Sequence, residues 1–208
     1  MAAAVTLDRP PASLPRAEEQ RIVLYGVSWK DYLILRDVLD GPSPRMTYLE
    51  GALELMSPSP NHELWKKNIA RLLELYAYLV GIDLRGYGST TLKRETRERG
   101  AEPDECYLVG QKLTEYPQMA LEVIHSVPLL DKRKVYAAMG VLELWVFEKG
   151  AFTLYGLDGP TETYIERAAS VFFPKLDFAI VARYAVREDT LAALREFAAE
   201  VGPSEASR

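Results

Sequence analysis

Apolar residues recur at helical spacing in four stretches of the chain. In "WKDYLILRDVL" (29–39) they are Trp29, Tyr32, Leu33, Leu35, Val38 and Leu39, with Ser28 placed to cap the helix. From about His62 to Val80, Leu64, Ile69, Leu72, Leu73, Tyr76 and Leu79 form an inner stripe, with Asn61 as the predicted cap and Gly81 as the stop. The third is "LLDKRKVYAAM", ended by Gly140, and the fourth is "EDTLAALREFAAEV". Elsewhere the period falls to two. "MTYLEGALELMS" alternates, with Leu49, Leu53 and Leu55 on one face, Tyr48, Glu50 and Glu54 on the other, and a bend at Gly51. "IDLRGYGSTTLKR", "DECYLV", "QMALEVI" and "VLELWVF" read as strands, as do "AFTLYGL", "TYIERA" and "FAIVARY" further on. Helix, three strands, helix, strand is thus the order of the middle of the chain. It predicts an α/β (α+β) fold with a mixed central sheet flanked by helices, an N-terminal helix and strand, and C-terminal strands and a helix.

Composition changes this picture little. The 208 residues are 48% hydrophobic and 26% charged, which suits one globular domain, expected over 21–200. The proline-rich "MAAAVTLDRPPASLPRAEEQ" reads as a flexible arm (1–20) without an export signal, and 201–208 as a frayed tail. No run approaches eighteen apolar residues, so no membrane span is expected. A single cysteine, Cys106, excludes an internal disulfide and a thiolate metal cage and fits a cytoplasmic setting.

Charge narrows the partners. A net charge of −5 is not the global field of a nucleic-acid binder, so binding to DNA needs a local basic patch. The candidate is "LKRETRERG", where Lys93, Arg94, Arg97 and Arg99 cluster; the competing reading is a solvated face.

One strand carries an anomaly. In "QMALEVIHS" the carboxylate of Glu122 interrupts an otherwise apolar run, where an unpaired charge costs several kcal/mol. If "DECYLV" and "QMALEVI" pair as an antiparallel hairpin centred on residue 113, Asp104 and Glu122 stand opposite one another, with Cβ atoms about 5 Å apart. Two such carboxylates share a proton or bind a cation, and Mg²⁺ takes all-oxygen ligands of this kind. The alternative is that Asp104 is the start of a strand and Glu122 pairs with a nearby Lys or Arg.

"PD" at 103–104 followed by "EVI" at 122–124 inside an αβββαβ core resembles the PD-(D/E)XK nuclease superfamily and its restriction-endonuclease-like fold. More narrowly, "RMTYLEGALELMSPSPNHE", "EPDECYLV", "LEVIHS" and "DKRKVYAAMGVLELWVF", in one order, resemble the large bacterial Uma family of restriction endonucleases. The resemblance implies an endonuclease in which Asp104 and Glu122 hold Mg²⁺, with Mn²⁺ as a substitute, against a DNA phosphodiester. It also implies a homo-oligomer, since two strands are cut more easily by two sites. The superfamily lysine two residues after the Glu is replaced by Ile124. Lys132, from the following helix, matches the family's compensating position, and Lys134 is its fallback. Glu50 and His62 match supporting positions, while Ala52 departs from the acid common there.

Other motifs fail. "HELWK" lacks the second His of a metalloprotease helix and "GYGST" lacks the Gly-Lys of a P-loop. With His62 and His125 as the sole histidines, a structural zinc site is unsupported, and His125 is expected to finish its strand. The rival function is a nuclease-fold module that binds nucleic acid or a partner protein without cutting.

Overall fold

The computed structural model describes residues 18–202 except 40, 42, 113, 114, 127 and 129. Two sheets and five helices make up the fold. The first sheet contains β1 (Gln20–Tyr25), β2 (Arg45–Leu49), β3 (Ala52–Ser57), β5 (Leu92–Arg94) and β6 (Arg99–Ala101), in the order β1-β3-β2-β6-β5. α1 (Trp29–Val38) covers it, stacking Tyr32 on Tyr48 at 4.9 Å between ring centroids. The second sheet contains β4 (Leu84–Gly86), β7 (Glu105–Val109), β8 (Met119–Ile124), β9 (Glu143–Glu148), β10 (Ala151–Asp158) and β11 (Thr163–Arg167), in the order β11-β10-β9-β8-β7-β4.

The second sheet is mixed because β8 and β9 run parallel while its other neighbours are antiparallel. α3 (Lys132–Met139) makes the crossover that a parallel pair requires. α2 (Pro60–Val80) precedes β4, so the chain order α2-β4-β7-β8-α3-β9 is the expected αβββαβ core.

Burial on both sides of the sheet follows from alternation along β8. Met119, Leu121 and Val123 pack with Ile69, Leu72 and Tyr76 of α2, and α4 (Phe178–Ala185) and α5 (Thr190–Val201) complete that core. Ala120 and, on β9, Leu144 face the other way, against Val135, Tyr136 and Met139 of α3. Glu122 shares the α3 side with Ala120 and needs a polar partner there.

Several local readings are corrected. "FAIVARY" is helical, not extended: Asp177 caps it by accepting from Ala179 N, and Phe178, Val181, Ala182 and Ala185 are buried at helical spacing. So short an apolar run does not let its period separate helix from strand. The cap of α2 is Ser59, whose hydroxyl accepts from His62 N, with Pro60 opening the helix in place of the predicted Asn61 cap. "IDLRGYGSTTLKR" is two strands, β4 and β5, which join different sheets, so the single predicted sheet becomes two. Gln20 opens β1, so the end of the predicted arm belongs to the fold, while 1–17 and 203–208 lie outside the described residues. The bend at Gly51 is a two-residue hairpin turn, with Glu50 at φ 45° and Gly51 at φ 88°, the doubly positive pair that matches strand twist.

Candidate active site

The hairpin register sets the geometry of the site. β7 and β8 pair Glu105 with Leu121, Cys106 with Ala120 and Tyr107 with Met119, a register centred on residue 113. Asp104 continues it: its N–H donates to the Leu121 carbonyl at 3.1 Å. The two carboxylates therefore come from facing positions, and each is satisfied by other protein groups.

Glu122 is 4% exposed. Lys132 and Tyr136 stand four residues apart on one face of α3, and both reach it. Lys132 Nζ lies 2.6 Å from Glu122 Oε2, and Tyr136 donates its hydroxyl to Oε1. Burial together with the Glu122 charge pushes the Tyr136 phenol well above its usual range, so it stays a donor. Lys132 opens α3, where the helix dipole disfavours a cation, and Glu122 offsets that penalty. Lys134 is exposed and turned away from this pair. His125 follows the end of β8 and stacks on Trp65 at 4.1 Å.

Asp104 is 1% exposed. Its Oδ2 accepts from Val123 N at 2.6 Å, and its Oδ1 meets His62 Nε2 at 2.8 Å and is ion-paired with Arg45 of β2. His62 is held from behind by Glu19, whose Oε2 is 2.7 Å from Nδ1. Burial lowers the His62 imidazole below its usual range, with Arg45 acting in the same direction and Glu19 opposing. A neutral ring donates through one nitrogen, so both contacts are satisfied together only in the imidazolium. Burial alone would raise Glu19, but bonds from His62 and Ser126 and the Arg21 charge bring its pKa down to about 2.

A third buried carboxylate, Glu54 of β3, accepts from Arg21 at 2.5 Å and from Leu130 N at 3.2 Å. Arg21 also donates to Glu19 at 2.9 Å and Ser126 at 3.0 Å, which ties β1 to the segment after β8. Beside this network opens a cleft of about 430 Å³, whose lining includes Arg21, Glu122, Ile124, Lys132, Val146 and Tyr155.

The structure thus brings Glu122 together with Lys132, and Asp104 with His62. Glu50 stands apart: it occupies the β2–β3 turn, exposed, and pairs with Arg99 at 2.7 Å. Glu54, four residues on, is the acid of this hairpin that enters the network. The basic run is largely engaged within the chain. Arg97 is bidentate to Glu162, Arg99 is on Glu50 and two carbonyls, Arg94 donates to the Ala138 carbonyl, and Lys93 is exposed. Sequence reasoning missed Glu19, Arg21, Arg45 and Tyr136. The i, i+4 spacing of Tyr136 from Lys132 is a signal that could have found the last.

The donor set suits a hard divalent cation. Carboxylate oxygens each offer two acceptor positions; each Glu122 oxygen makes one bond to Lys132 or Tyr136 and Asp104 Oδ2 makes one to Val123, while Asp104 Oδ1 is taken by His62 and Arg45. Among the described residues no cluster of three or more His, Cys, Asp or Glu is arranged to hold a metal.

The αβββαβ core around a mixed sheet, with the Glu122–Lys132 pair at one face, defines a restriction-endonuclease-like domain. Residues 29–181 match the family described as "Uma2: Putative restriction endonuclease", and the chain belongs to that family. Among solved structures, the chain is similar to "a putative nuclease belonging to DUF820" from Anabaena variabilis, at 13% identity and a TM-score of 0.47, over 81% of this chain and 99% of that one. No curated protein matches it at significant similarity. No helix among the described residues is long and apolar enough to cross a membrane.

Proposed function

We propose that the chain is a metal-dependent endonuclease that hydrolyses DNA phosphodiester bonds. The observation that carries this reading is the Lys132 ammonium, 2.6 Å from Glu122 on the wall of an open cleft. In the superfamily the lysine follows the Glu on its own strand. Here Ile124 takes that position and the first residue of α3 delivers the cation to the same carboxylate.

Asp104 and Glu122 would hold Mg²⁺ or Mn²⁺, which when bound lowers the pKa of a water and neutralises charge on the phosphate. The protein groups have separable tasks. Tyr136 fixes the Glu122 carboxylate from the side opposite Lys132. Val123 N, Arg45 and His62 fix Asp104, and Glu19 orients His62. Lys132, already in a polar and half-enclosed position, supplies positive charge where negative charge grows on the phosphoryl oxygens. Burial of the cluster lowers the local dielectric and strengthens each of these effects.

The test is cleavage of covalently closed circular DNA with Mg²⁺ or Mn²⁺. Wild type should nick it, and Glu122→Gln, Asp104→Asn and Lys132→Met should each lose about 100-fold or more of the rate, while Lys134→Met keeps it. Undiminished cleavage by Glu122→Gln and Lys132→Met contradicts the reading. A protein that binds DNA and cuts none under any metal is the non-cutting module, which the closure of Asp104 behind Arg45 and His62 favours.

A further inference from the structure

We infer that the cleft beside Glu122 takes an unpaired nucleotide of a DNA strand, stacked on Tyr155, so that single-stranded or locally opened DNA is the substrate. This deepens the nuclease reading and rests on it. The floor of the cleft is the α3 face of three adjacent strands. Glu122 and Ile124 of β8, Leu144 and Val146 of β9 and Tyr155 of β10 alternate outward, with Glu122 beside Val146 and Leu144 beside Tyr155. α3 covers this face only in part, and the cleft is the part it leaves uncovered.

Three features decide the occupant. The first is size: about 430 Å³ lies in the lower half of the ~300–1,000 Å³ range of sites for one small molecule. Three strands spaced about 4.8 Å apart give a floor about 10 Å across. A duplex, whose major groove alone is about 12 Å wide, does not enter it. The second is chemistry. Ile124, Leu144 and Val146 give the floor an apolar strip between Glu122 and Glu148, and at its edge the partly exposed Tyr155 ring, edge-on to Tyr164 and 5.8 Å from the Arg133 guanidinium, offers a stacking surface of the kind that base-binding sites use. The third is charge. The cleft cations Arg21, Lys132 and Arg133 are each matched by an acid, Glu54, Glu122 and Asp131, and Glu148 adds a further acid to the lining, so no unbalanced basic stripe tracks a duplex backbone. The run at Lys93–Arg99 is also mostly paired and supplies none. A nucleotide whose base rests on Tyr155 has its phosphate on the same face as Glu122 and Lys132.

The test is fluorescence anisotropy with a labelled oligothymidylate and with a hairpin duplex of equal strand length, in Ca²⁺ and again in EDTA, so that binding is read without turnover. The single strand should bind at least about ten-fold tighter than the duplex. Tyr155→Ala should weaken single-strand binding about ten-fold and duplex binding not at all, and Tyr155→Phe, which keeps the ring, should restore it. Equal affinity for the two forms, or single-strand binding untouched by Tyr155→Ala, overturns the inference. Cleavage is scored separately. DNA cut by wild type with no single-strand preference sinks this inference and leaves the nuclease reading standing; Tyr155-dependent single-strand binding without any cleavage does the reverse.

Discussion

Removal of the Lys132 charge gives the sharpest measure of what holds Glu122 in place. Lys132→Met keeps most of the stem volume and deletes the ammonium that lies 2.6 Å from a carboxylate of 5% side-chain exposure. The Tyr136 bond survives, but a neutral hydroxyl does not compensate a buried charge. Breaking a buried pair by removing one partner costs about 3–5 kcal/mol, and the remaining Tyr136 bond and nearby cleft water place the expected loss near the lower limit, about 3 kcal/mol. For a domain of this size that is a fall in Tm of about 6–12 °C. Glu122→Leu should cost less, about 1–2 kcal/mol, because the Lys132 head group can swing into the cleft while only the Tyr136 hydroxyl is left unpaired. The double variant should be more stable than the sum of the single losses by about 2 kcal/mol or more, since an apolar pair needs no compensation. Urea unfolding of the four proteins at pH 7 measures that coupling. Additive losses would refute the claim that Lys132 is the counter-charge of Glu122.

Four further outcomes follow from the same contacts. Tyr136→Phe removes one donor from Glu122 Oε1 and should cost about 1–2 kcal/mol in urea unfolding, without changing the DNA form bound. Glu19, with a pKa held at about 2 against an ordinary 4.5, stabilises the fold above pH 4.5 and loses that contribution as pH falls from 4.5 toward 2. Glu19→Gln should therefore flatten the acid limb of a stability–pH curve while lowering stability at pH 7. Glu50→Ala, on an exposed turn, should leave both the melting temperature and any nuclease activity as in wild type, by calorimetry and nicking assay. Glu54→Gln leaves Arg21 with Glu19 alone as its buried counter-charge and should lower Tm by a few degrees.

What could be read from the sequence was what local pattern encodes. The apolar run from Met119 to Ile124 and the midpoint of Asp104 and Glu122 at residue 113 implied a hairpin register that the fold reproduces, and a one-residue slip would turn Glu122 toward α2 and Leu121 toward α3. The stripe of α2 and its Gly81 stop, at φ 75°, were likewise legible. The helix at 178–185 was not, since a run this short, with Phe178, Ile180, Ala182 and Tyr184 at alternate positions, fits a strand as well as a helix. The partition of 82–94 between two sheets was also hidden, because nothing within that segment records which distant strand each half will meet.

The site divides along the same line. Lys132 was legible through its resemblance to a family position; Tyr136 was missed, although its i, i+4 spacing from Lys132 carries the signal. Glu19 and Arg21 precede the family match, which begins at residue 29; Glu19 lies within, and Arg21 just after, the segment whose prolines and charges read as an arm. Their burial comes from long-range bonds to His62, Glu54 and Ser126, which leave no periodic trace. Glu50 was named through its match to a family position before a glycine; the structure uses that glycine for the turn and leaves Glu50 exposed.

The proposed chemistry requires Asp104 and Glu122 to hold a divalent cation together. Anomalous scattering from a crystal soaked in Mn²⁺ tests it most directly. The account predicts a peak bonded to oxygens of both carboxylates, with Lys132 still within reach of a liganded water, and its loss in Glu122→Gln. A soaked crystal with no peak between the two side chains, and with Lys132 and Arg45 still seated on them as here, would contradict it.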